Sequence, residues 1–226
     1  MFFHETFARR ALGIWLTAGC AAFFAGLLAS SVIFFKGRPF DPKAAIISDI
    51  QSSYENPRGY AAAAAGTALC GLMLAPAGVV CFARLRPFGR KWSVAGAVVF
   101  GVGLAAATAI GVLAPFTQGY TAVHIQLAYA AFTGICAGSL ILLRVAAGAA
   151  RDLSRGWRHL TMGFGALNGA AVLFLLYLYF GPDVLDNRTI WTSLAFCEWM
   201  LCADCAVSLW ILAALVARIK PAAEKA

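Results

Sequence analysis

Charge is what this chain has least of. Asp, Glu, Lys and Arg make up 12% of its 226 residues, while 62% are hydrophobic and the mean hydropathy is +0.79. A water-soluble domain carries about a quarter charged residues and just under half apolar ones, so a soluble globular fold is excluded. Histidine is scarcer still, with His4, His124 and His159 alone. His124 and His159 fall at opposite ends of their apolar segments, which excludes a haem held between them. The phosphate-binding loop, the Gly-x-Ser-x-Gly elbow and the His-Glu-x-x-His helix are all missing, and the chemistries those patterns announce go with them. An internal repeat is also lacking, which argues against an inverted-repeat transporter.

Cysteine is lacking wherever a disulfide framework would need it. Cys20, Cys70, Cys81, Cys136, Cys197, Cys202 and Cys205 all lie inside apolar runs. They read as small packing residues. Cys197, Cys202 and Cys205 lack the paired Cys-x-x-Cys spacing of a zinc site.

Six apolar runs fill the chain, over residues 11–35, 61–82, 93–116, 121–143, 160–180 and 191–216. Each approaches the roughly 20 residues that a bilayer crossing needs. The chain is predicted to be all-α, a single six-helix transmembrane domain of a polytopic membrane protein. The first run follows Arg9 and Arg10 but is longer than the roughly 7–15 residues of a cleaved signal core, so it reads as an uncleaved anchor. The longest polar segment is 36–60, in which Ala-Ala-Ile-Ile-Ser-Asp-Ile reads as a short interfacial helix.

Thirteen of the eighteen Lys and Arg residues fall in the head, in 83–92, in 144–159 and in the tail. That alternation predicts cytoplasmic N and C termini and places 36–60 outside. The net charge of +8 therefore belongs to loops at an anionic leaflet rather than to a nucleic-acid interface. Small residues recur at four-residue spacing in Gly103-Ala107-Gly111, Gly134-Gly138 and Gly165-Gly169. This is the pattern of close helix packing, or of a dimer contact.

The last run carries two acids, Glu198 and Asp204. An ionised carboxylate at the bilayer centre costs roughly 2.5–3.5 kcal/mol on the lenient scale, so something must offset it. Counted from Trp191, Glu198 lies roughly 10 Å below the outer surface and Asp204 roughly 20 Å. Glu198, Cys202 and Cys205 share one helical face, and Cys197, Asp204 and Ser208 the next. His124 opens the fourth span near the depth of Glu198, and Ser48, Asp49, Glu55 and Asn56 lie on the same side, with Asp183 and Asp186 in the fifth loop. The candidate site is His124, Glu198, Asp49 and Ser48, a set able to run general acid/base chemistry. It could equally be a structural Glu–His pair. Asp204, Asn56 and Asn168 form a second tier, with Asp204 expected to be neutral and bonded to Ser208 or Asn168. The same set could hold a metal with one His and two or three carboxylates, although one histidine is thin for zinc, and the sequence leaves metal and cofactor open.

Several of these stretches together resemble the Frag1/DRAM/Sfk1 family and related bacterial six-helix membrane proteins. They are Ile47-Ser48-Asp49-Ile50, Glu55-Asn56-Pro57, the histidine opening span four in His124-Ile-Gln-Leu-Ala-Tyr, and Cys197-Glu198-Trp199. The resemblance runs from about the first span to the last. It implies lipid handling: remodelling of glycolipid-anchor acyl chains, control of phospholipid asymmetry, or lysosomal membrane function in autophagy. It also implies that Ser48, Asp49, His124 and Glu198 are the polar positions on the outer side. The alanine-rich composition points to a bacterial inner membrane.

Three functions compete. One is a membrane-embedded lipid-modifying enzyme, with Glu198 or Asp49 as base, His124 as acid/base or ligand and Ser48 as nucleophile or polar anchor. Another is a lipid-binding protein or a subunit of a larger membrane complex, with a homo-oligomer among the partners. The last is a small proton-coupled transporter that uses Glu198 and Asp204 as a relay.

Overall fold

The computed structural model describes residues 2–37, 39–43, 45–116, 122–150, 154–181, 185 and 188–219, and for residues 2–11 the backbone alone. Asp183 and Asp186 lie outside the described residues. The elements are α1 (Phe2–Phe34), α2 (Ile47–Gln51), α3 (Tyr60–Leu85), a 3-10 turn (Arg86–Phe88), α4 (Arg90–Leu113), α5 (Ala122–Ala149), α6 (Arg155–Phe180) and α7 (Leu194–Arg218). No strand occurs among the described residues, and six of the helices are long and apolar enough to span a membrane. The chain is an all-α membrane-type bundle.

The helices extend further than their apolar runs. Helical backbone begins at Phe2 rather than at residue 11, because nothing in Phe-Phe-His-Glu-Thr-Phe-Ala-Arg-Arg breaks it. The polar link expected over 83–92 closes to the 3-10 turn and Gly89. α5 runs past residue 143 to Ala149, and α6 starts at Arg155 rather than 160. Hydropathy marks the segment bathed in lipid, whereas the hydrogen-bond ladder continues until a cap, Gly or Pro stops it.

At the last span the difference runs the other way. Residues 191–193 form a turn, and the Ser193 hydroxyl accepts from Phe196 N at 3.2 Å as the helix cap. Glu198 therefore lies roughly 6 Å into α7 and Asp204 roughly 15 Å, both shallower than counting from Trp191 suggests.

Neighbouring spans pack in chain order, α1 on α3, α3 on α4, α4 on α5 and α5 on α6, and α7 closes the bundle against α5, α1 and α6. α7 is the most enclosed, with 56% of its spanning window buried, and α6 the least, with 11%. Lipid supplies no hydrophobic drive between helices, so close backbone approach does the work. A Cβ on Gly134 would stand 2.6 Å from the Gly103 Cα, and one on Gly138 would stand 2.6 Å from the Phe100 backbone N. These contacts seat α4 on α5. Gly26 and Gly66 do the same for α1 and α3, where a Cβ on Gly26 would stand 3.0 Å from the Gly66 Cα. Gly165 and Gly169 of α6 meet only the Leu140 side chain, at 3.7 and 3.9 Å, an ordinary contact.

Candidate functional site

The site is built around the short helix α2. Five residues cannot hold a helix unaided, and the side chain of the capping position, Ile46, makes no hydrogen bond to it. Its cap comes from 150 residues away. Glu198 Oε2 accepts from Ile47 N at 2.6 Å and from Ser48 N at 3.3 Å, and Glu198 Oε1 accepts from the Ser48 hydroxyl at 2.7 Å. The first amides of a helix have no partner within it and carry its positive end. A buried carboxylate is thus matched to donors that need an acceptor. Next along α7, Trp199 Nε1 donates to Ala45 O at 2.8 Å.

The other end of the loop is clamped as firmly. Asn56 is 3% exposed. Its Nδ2 reaches Ile50 O and Ser30 Oγ, both at 2.9 Å, and its Oδ1 accepts from Gly59 N at 3.1 Å. The Ser30 hydroxyl stands 2.9 Å from the carbonyls of Ile50 and Gly59. Gln51 Nε2 donates to Thr67 Oγ1 at 2.6 Å, and Thr67 donates in turn to Ala63 O at 2.9 Å. Segment 45–60 is therefore pinned to α1, α3 and α7 as a fixed cover over one end of the bundle.

Beneath that cover lies a partly enclosed cavity of about 120 Å³ between α1, α3, α4, α5 and α7. Its rim carries Ser48, Gln51, Thr67, His124 and Glu198, and its deeper wall is apolar, with Phe23, Leu74, Leu104, Ile135 and Leu209. Cys202 and Cys205 also line it, so the α7 face that carries Glu198 is the face turned inward. Among the described residues no three His, Cys, Asp or Glu side chains gather as a metal-binding group.

Three of the four residues singled out in the sequence meet at this rim. Ser48 and Glu198 touch, and His124 lines the same cavity. Asp49 shares α2 but is not part of the lining. Asn56 serves the cover rather than the rim.

Asp204 and Asn168 also lie off the cavity. Of the two partners expected for Asp204, Ser208 stands beside it as a side-chain donor, while Asn168 Nδ2 turns instead to Ser208 Oγ at 2.6 Å. Gln51 and Thr67 were missed. A period of three from Ser48 would have found Gln51, whereas nothing in the run Ala-Gly-Thr-Ala marks Thr67.

Chemically the rim offers a hydroxyl already hydrogen-bonded to a carboxylate, an imidazole and an amide, all opening onto hydrocarbon-lined space. Comparison with protein-family models, with curated proteins and with solved structures returned no match.

Proposed function

We propose that this protein handles membrane lipid, seating hydrocarbon in the cavity and a polar group against Ser48, Gln51, His124 and Glu198. The observation that carries this is the cavity's division into an apolar wall and a polar rim. An acyl chain with an ester or headgroup at one end has the same division, and binding sites of this kind fix orientation with few polar groups. The resemblance to the Frag1/DRAM/Sfk1 family supports the same reading. So do an outward-facing α2 cover and inward termini, the orientation that the Lys and Arg distribution favours, in what the alanine-rich composition reads as a bacterial inner membrane.

Native mass spectrometry of the full chain, released from nanodiscs, tests the proposal. One retained lipid per chain is expected. Ala107→Phe and Ala128→Phe, which fill the cavity from α4 and α5, should remove it. Lipid occupancy unchanged in both variants overturns the reading.

One contact favours an enzymatic version over simple binding. Ser48 Oγ lies 2.7 Å from Glu198 Oε1, the reach of a nucleophile and its base. Attack of Ser48 on a lipid ester would pass its proton to Glu198, and His124 on the same rim would protonate the departing alcohol. Ser48→Ala should then abolish ester turnover while leaving lipid occupancy intact. The relay reading loses its support, because the cavity that reaches Glu198 does not include Asp204.

A further inference from the structure

The cavity alone is too small for a lipid chain. A cavity of about 150 Å³ holds one benzene, and this one measures about 120 Å³. It has room for the polar end of a lipid and its first few carbons. The rest of the chain must lie elsewhere.

A second space stands behind the cavity wall. Along α3 and α4, on the side where Leu72, Val79 and Val112 are exposed, runs an apolar groove of about 760 Å³. Small residues hollow it, Ala75 and Gly78 on α3 and Ala97, Gly101 and Ala105 on α4. From Gly71 to Phe82 it follows α3 for roughly 16 Å. Gly71 and Leu104 line both the cavity and the groove, so a single layer of side chains parts the two spaces there. At Gly71 α3 contributes no side chain, and the notch is filled from α4. A Cβ on Gly71 would collide with Thr108 Oγ1, and the Thr108 hydroxyl donates to Leu104 O at 2.8 Å. A helical threonine divides between two rotamers, because its hydroxyl can reach either of two carbonyls one turn back. The notch is therefore closed by a side chain that can turn rather than by backbone.

We propose that this groove seats the acyl chain of the lipid whose polar end lies at the rim, the chain passing between α3 and α4 at the Gly71 notch. The proposal rests on the lipid-binding reading above and adds a second part to its site. Thr67, on the rim, precedes Gly71 by one turn of α3, so the way from rim to notch is roughly 6 Å. The groove supplies the length that the cavity lacks, and it makes chain length the property selected.

The full chain in detergent, offered phosphatidylethanolamine with hexanoyl or palmitoyl chains and read by native mass spectrometry, tests this. The wild type should retain the palmitoyl lipid at least tenfold better than the hexanoyl lipid. Ala75→Phe and Gly101→Phe fill the groove from its two sides, and neither residue lines the cavity. A Cβ on Gly101 meets nothing within 4 Å, so the added ring has space. Both variants should bring retention of the palmitoyl lipid down to that of the hexanoyl lipid and leave the latter unchanged. Leu173→Phe, on the exposed face of α6, should change neither. Palmitoyl retention unaffected by both groove variants, yet lost in Ala107→Phe and Ala128→Phe, overturns the groove and spares the cavity. A loss in Leu173→Phe equal to that in the groove variants also overturns the groove, because it assigns the effect to lipid surrounding the whole bundle. A wild type that retains neither lipid overturns both readings.

Discussion

Replacing Glu198 by Gln keeps the size of the side chain but brings an amide NH2 to a place that already supplies three donors. One of those donors loses its acceptor, and a buried unsatisfied group costs about 1–3 kcal/mol. Glu198→Gln should lower stability by that amount and Glu198→Ala by more, measured by unfolding in detergent and by protease nicking near α2. A neutral bond is worth about 1 kcal/mol, so Trp199→Phe, which removes the bond to Ala45 O, should cost about that. Asn56→Ala should exceed Trp199→Phe, since it strips acceptor and donor together from Ser30, Ile50 and Gly59. Equal melting temperatures for these two variants would contradict the account of Asn56 as a clamp of several bonds. Glu198 was legible in the sequence as an acid in the wrong solvent. The Ser48 hydroxyl was legible with it, whereas the Ile47 and Ser48 amides were not, because a backbone amide carries no letter of its own. His124 drew attention as the expected counterpart, while the donors came from Ile47 and Ser48.

Among the helices, the α4–α5 seam is the most sensitive to added volume. A methyl on Gly134 meets the Gly103 backbone 2.6 Å away, and backbone cannot move aside as a side chain can. Gly134→Ala should destabilise by about 1–3 kcal/mol, the usual cost of overpacking. Gly163→Ala in α6 meets nothing within 4 Å and should be neutral or stabilise by up to about 1 kcal/mol. Paired unfolding measurements on these two variants decide the point, and equal effects would count against close packing at the seam. The four-residue spacing of Gly134 and Gly138 announced this contact, and that of Gly165 and Gly169 announced one that is ordinary. Spacing reports where backbones can approach, whereas the neighbouring helix decides whether they do. The Gly26–Gly66 approach carries the same spacing, Ala22 with Gly26 in α1 against Ala62 with Gly66 in α3, but in alanine-rich runs where small residues are too common to stand out.

For the molecule as a whole, the six spans were legible because oil-soluble length is written directly in composition. Their ends were not, since Arg86 and Arg90 sit in helical or near-helical backbone beyond the apolar runs. The proposed orientation makes a distinct prediction. A cysteine at Ser53, on the α2 side, should react with a membrane-impermeant thiol reagent in intact cells, and one at Arg86 only after lysis. The reverse pattern would invert the assignment of the two faces and with it the outward placing of the rim.

The clamp between α2 and α7 also has a consequence in time. Ile47 and Glu198 are 151 residues apart, and synthesis proceeds at about 5–20 residues per second. For roughly 8–30 s of every chain's birth, segment 45–60 has left the ribosome while its anchor has yet to be made. Until Glu198 arrives, the α2 amides have only water or chaperones for company. A truncated or stalled chain keeps that segment open to proteases, so closure of the cover reports that the last helix has been made and inserted.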